Sequence, residues 1–83
     1  MQAEEIRQLI EGGLAGSQVQ VSGDGTHFEA TVICAAFAGQ SMLAQHRMVY
    51  ATLGDRMQGE IHALSIHAFT PEAWERAQQL RVS

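Results

Sequence analysis

The sequence predicts a two-layer α+β domain with element order α-β-β-α-α-β-α and a three-stranded mixed sheet. Three observations lead there. Apolar residues recur at helical spacing in separate places along the chain. Two short alternating runs are joined by a glycine-rich turn, so they pair antiparallel. A third strand-like run follows a long helical stretch, and that crossover favours a parallel pair with the second strand.

Each element has its own local grounds. Residues 3–14 put Ile6, Leu9, Ile10 and Leu14 on one helical face, with Glu4 and Glu5 at the positive end of the helix dipole. Gly12 and Gly13 end that helix. Val19 and Val21 alternate with Gln18, Gln20 and Ser22 as a short strand. Gly23-Asp24-Gly25-Thr26 is a hairpin connection. From His27 to Cys34 the alternation continues: Phe28, Ala30, Val32 and Cys34 share one face, His27, Glu29, Thr31 and Ile33 the other.

Phe37, Gly39 and Ser41 mark a turn, with Ser41 as N-cap of the next helix. Met42, His46, Val49, Tyr50, Leu53 and Met57 follow helical spacing. Gly54 divides this run and Gly59 ends it. Ile61 to Phe69 reads as the third strand. Thr70 caps a last helix, with Pro71 at its first position, Glu72 in its first turn, and Trp74 and Ala77 facing inward.

At 83 residues the chain reads as one domain spanning 1–83. A domain this small hides roughly 60% of its unfolded surface, enough for one core and no deep substrate cavity. Net charge is −4, and all five basic residues are arginines: Arg7, Arg47, Arg56, Arg76 and Arg81. Without lysine or a basic stripe, general nucleic-acid binding is disfavoured, although a local arginine patch remains open. The N-terminus lacks the basic and apolar regions of a signal peptide, and no run approaches the ~20 apolar residues of a membrane span. The single cysteine, Cys34, makes no internal disulfide and no CxxC pair. The expected location is the cytoplasm, with no membrane partner.

The four histidines carry the chemistry. His46 lies in the apolar stripe of the middle helix and reads as a core or rim residue. His67 lies near the end of the third strand and reads as surface. His27 and His62 both open a strand. If those strands are parallel neighbours about 4.8 Å apart, their N-terminal ends lie on one rim. Strict alternation puts His27 on the polar face and His62 with Leu64 and Ile66, so the pair converges only if His62 turns outward at a frayed end. Two histidines make half a metal site, since a closed zinc site wants four ligands. Cys34 belongs to the core face at the far end of its strand. The missing ligands would come from another molecule.

Enzyme readings lack support. Ser22, Asp24 and His27 are close in sequence but stand in no nucleophile-elbow framework. Asp24 and Glu29 are single carboxylates without a cleft, and GDG has neither the following helix nor the lysine of a phosphate loop.

The segments VSGDGTHFEATVI, FAGQSMLAQHRMVYATL and IHALSIHAFTPEAW, in that order, resemble the BolA-like family. The resemblance runs from about residue 4 to 76. SGDGTHF is similar to the short bacterial branch of the family called IbaG or YrbA. The resemblance implies the same element order and a type II KH-like fold. It implies a monothiol glutaredoxin as partner, with a 2Fe-2S cluster bridged between the two proteins, and no cluster in the isolated chain. The glutaredoxin would give one cysteine and glutathione another. The strand-opening histidine of the family matches His62 in IHAL, and the hairpin ligand matches His27 in GTHF. Two imidazoles and two thiolates would resemble Rieske ligation, which raises the potential. Bound ring nitrogens must be neutral, so acid should release the cluster. Arg47, in HRMVY, reads equally as a contact to partner or glutathione carboxylates and as a surface ion-pair residue.

Two other functions compete. A KH-like fold and the description of some BolA-like proteins as transcription regulators suggest nucleic-acid binding. The segment ATLGDRMQ contains no GXXG loop, however, and the chain is acidic. A pure adaptor that binds glutaredoxin without cluster chemistry is the third reading. The sequence leaves a homodimer open.

Overall fold

The structure is a computed structural model that describes residues 1–61 and 63–81. Helix α1 (Ala3–Gly13) leads into strands β1 (Gln18–Gly23) and β2 (His27–Ile33). A 3-10 turn at Ala35–Phe37 precedes helix α2 (Met42–Leu53), and a second at Gly54–Gln58 follows it. Strand β3 (Ala63–Phe69) and helix α3 (Pro71–Arg81) complete the order. The sheet runs β1-β2-β3. Strands β1 and β2 are antiparallel, and β2 and β3 are parallel, as the two connection types require.

Register sorts the side chains by face. Val19 stands opposite Val32, Phe28 opposite Leu64, and Ala30 opposite Ile66. These residues turn toward α1 and α2 and meet Ile6, Ile10, Val49 and Leu53, all four fully buried. Phe37 and Ile61 close the same cluster. Cys34 packs there as a free, buried thiol. The opposite face carries Gln20, Glu29, Ser65 and His67, all exposed.

The predicted caps hold. The Ser41 hydroxyl accepts from the Ala44 N–H at 3.1 Å, and the Thr70 hydroxyl from the Ala73 N–H at 3.2 Å. At the start of α1 the Gln2 N–H donates to Glu5 Oε1 at 3.0 Å. Arg7 pairs with Glu4 and Glu11 along the same helix.

Four expectations change. Ile61 lies outside β3, because its N–H bonds back to the Arg56 carbonyl (3.0 Å) and its side chain enters the core from the preceding turn. Strand β2 ends at Ile33, and Cys34 caps the 3-10 turn that inserts Phe37 into the core. The apolar stripe of α2 is only partly buried: Val49 and Leu53 are covered, but Met42 is 71% exposed and Tyr50 39%. Two contacts account for this. A Cβ on Gly13 would lie 2.5 Å from the Thr52 methyl, so α1 approaches α2 on its Thr52 side. The first turn of α2 overhangs the free edge of β3, where Met42 borders an open groove with Ile66, Ala68 and Phe69.

Trp74 is the last revision. It lies outside the core and packs edge-on against Phe69 at 5.2 Å. Alternation along β3 puts Phe69 on the polar face with Ser65 and His67, so Trp74 rests at the end of that face.

Candidate functional site

The site begins with one exposed carboxylate. Asp24 Oδ1 accepts from the Thr26 N–H (3.0 Å), the Thr26 hydroxyl (2.9 Å) and the His27 N–H (3.0 Å). The turn is therefore an Asx-type cradle, in which the aspartate replaces backbone partners. Those donors, the His27 N–H foremost and then those of Thr26, hold the Asp24 carboxyl well below the usual carboxylate range. The Asp24 N–H closes the loop on the His27 carbonyl at 3.3 Å. Gly23 is needed at the base, since a Cβ there would lie 2.4 Å from the His27 carbonyl oxygen and 2.5 Å from the Phe28 ring.

His27 is thereby fixed at the first position of β2, with an exposed side chain. Its Nδ1 lies 3.3 Å from Thr26 Oγ1, and its Nε2 has no hydrogen-bond partner among the described residues. The Cα register pairs His27 with Ala63, and the Ala63 N–H donates to the Thr26 carbonyl at 3.2 Å. The hairpin loop and the start of β3 thus form one stitched rim. His62, the other expected ligand, lies outside the described residues.

The remaining histidines sit elsewhere. His46 is half-buried and borders the groove between α2 and β3. His67 is exposed, and its Nε2 lies 3.0 Å from Glu29 Oε1. That pair bridges β2 and β3 diagonally across the polar face. Only the parallel register, which sets His67 opposite Thr31, brings it within reach of a residue 38 positions away. The pair borders a shallow depression of about 260 Å³ together with Gln20, Thr31, Phe69 and Trp74.

Arg47 projects from the exposed face of α2 and has no ion-pair partner among the described residues. The α2 sequence holds no carboxylate, so Arg47 is its one formal charge. Arg7, by contrast, is committed to Glu4 and Glu11.

The donor set decides what kind of metal chemistry fits. Among the described residues no three His, Cys, Asp or Glu side chains converge. Cys34 is 2% exposed in the core. His27 offers one exposed imidazole donor, and the described residues do not enclose a metal by themselves. Thr26 was invisible to sequence reasoning as part of this site. Its signal is the DGTH order, which sets a hydroxyl between a carboxylate and an imidazole.

Comparison with known proteins adds a family. Residues 12–73 match the sequence model of the family described as BolA-like protein. The chain is 36% identical to the acid stress protein IbaG of Escherichia coli K12 over 81 residues, which is 96% of each chain. It is 42% identical over 57 residues to a protein of Vibrio cholerae named DNA-binding transcriptional regulator BolA, covering 69% of this chain. This chain spans about half the length of that protein (54%) and of the mouse BolA-like protein 1 (50%). Among solved structures, a BolA homologue from Coxiella burnetii superimposes with a TM-score of 0.84 at 49% identity, covering 92% of this chain and 99% of that one.

Proposed function

Because this chain belongs to the BolA-like protein family, we propose that it is a non-enzymatic partner of a monothiol glutaredoxin, serving iron-sulfur trafficking or iron and redox regulation. The two proteins share a bridged 2Fe-2S cluster. This chain contributes His27 and His62, and the glutaredoxin and glutathione contribute thiolates. When bound, the cluster supplies one-electron redox chemistry and a transferable iron-sulfur unit.

The observation that carries the reading is the rim. His27 is exposed, its Nε2 is unpartnered among the described residues, and the loop that holds it bonds to Ala63, the residue after His62 in sequence. A site with too few donors of its own but an open edge suits a ligand set completed by a second protein. The imidazoles must be neutral to bind, so acid should release the cluster. Arg47, without an ion-pair partner among the described residues, offers its guanidinium to carboxylates of the partner or of glutathione.

Anaerobic co-expression with a monothiol glutaredoxin tests this. A coloured heterodimer should co-purify, and His62→Ala should give the same heterodimer without stable colour. A colourless heterodimer with the unaltered chain supports the pure adaptor instead.

The name of the Vibrio cholerae relative favours DNA binding as a second reading. Against it, the chain has no lysine and a net charge of −4. A salt-sensitive mobility shift with duplex DNA at physiological ionic strength would support it.

A further inference from the structure

Three side chains in the hairpin form a hydrogen-bond chain with only one consistent direction. Asp24 Oδ1 already accepts the Thr26 and His27 backbone N–H groups at 3.0 Å each, so it stands in this turn as an acceptor. The Thr26 hydroxyl lies 2.9 Å from Asp24 Oδ1 and must donate its single proton there. Toward His27 Nδ1, 3.3 Å away, the same hydroxyl oxygen can then only accept. A neutral imidazole meets that requirement in one way, with the proton on Nδ1. The lone pair is left on Nε2, the nitrogen without a partner among the described residues.

We propose that Thr26 is a positioning residue that holds His27 as the Nδ1–H tautomer and so presents Nε2 to a metal brought by a partner. This rests on the reading of His27 as a cluster ligand and extends it by one residue. The logic is that of histidine metal ligands generally, whose second nitrogen donates to a fixed acceptor that sets tautomer and ring orientation. Here the acceptor is a hydroxyl backed by a carboxylate. Free imidazole side chains in water favour the opposite tautomer, with the proton on Nε2, so the hairpin reverses the intrinsic preference. Since no partner is needed to make these bonds, the isolated chain already has its ligand nitrogen prepared.

The test uses the isolated full chain and then its glutaredoxin complex. Nitrogen-15 NMR of the neutral His27 ring should show Nδ1 as the protonated nitrogen and Nε2 as the bare one. Thr26→Ser keeps the hydroxyl and should keep this signature. Thr26→Val keeps the shape, removes the acceptor, and should move the ring toward the Nε2–H form. In the cluster-loaded complex, Thr26→Val should weaken cluster retention by roughly tenfold to a hundredfold, the usual scale for losing such a partner. Thr26→Ser should restore it, and neither change should alter binding of the two proteins. A ring that is Nε2–H in the unaltered chain, or a Thr26→Val spectrum identical to it, overturns the inference while leaving His27 as a ligand. If His27→Ala leaves the cluster in place, the functional reading itself is lost, whatever the tautomer.

Discussion

Asp24 and Phe37 mark the two ends of what single residues do in this protein. Asp24 is exposed and organises a loop through three accepted hydrogen bonds. Its folded carboxyl titrates below its unfolded value because those donors favour the charged form, so it stabilises the hairpin above about pH 4. That contribution fades as pH falls through the lower, folded value. Denaturant titrations should therefore find the unaltered chain more stable than Asp24→Asn at pH 7, with the gap narrowing below about pH 4. A gap unchanged at pH 3 would mean that the carboxylate charge is irrelevant. Phe37 is fully buried, and Phe37→Ala should cost about 3–5 kcal/mol, a large share of the roughly 5–15 kcal/mol total. The sequence marked Phe37 only as part of a turn, since a lone aromatic outside any periodic run carries no face assignment. His27 on the polar face was legible, because alternation from Phe28 to Cys34 leaves no other side for it.

Among the elements, α2 separates what periodicity reveals from what packing decides. Its apolar residues recur at the right spacing, but only Val49 and Leu53 are buried, with Met48 packed against the core from a partly buried position. Leu53→Ala should cost about 2–5 kcal/mol, whereas Leu43→Ala, at a position 61% exposed, should stay within about 0.5 kcal/mol. Equal losses would mean that the exposed half of α2 is covered in solution. The roll of α2 toward Thr52 follows from Gly13, and no pattern within α2 contains that information. Helix α3 shows the same limit. Its cap and its proline were readable locally, but Trp74 joins Phe69 on the polar face because alternation continues to the last residue of β3. Trp74 is the only tryptophan, so tryptophan fluorescence reports on its surroundings at the end of the polar face. Trp74→Ala should leave the core intact and cost less than Phe37→Ala. A loss as large would place Trp74 among the core supports.

At the scale of the whole molecule, the sheet divides the labour. One face and two helices make the core, and the rim at the N-terminal end of β2 carries an exposed imidazole. No helix among the described residues is long and apolar enough to cross a membrane. Topology was the most legible feature, because a three-residue loop forces an antiparallel pair and a helical crossover a parallel one. The expected convergence of His27 and His62 falls on His62, which lies outside the described residues. Arg47→Ala should weaken glutaredoxin association by up to about fivefold, the size of one exposed ion pair, and reduce its salt dependence. Unchanged association would return Arg47 to the role of a solvated surface charge. The central claim is that imidazoles of this chain bind iron in a shared cluster. Its most direct test labels only this chain with nitrogen-15 histidine, assembles the complex with unlabelled glutaredoxin, and records electron–nuclear double resonance of the reduced cluster. Strong nitrogen-15 couplings from two rings are predicted, with one set lost in His27→Ala. A cluster that shows no nitrogen-15 coupling from this chain would contradict the account.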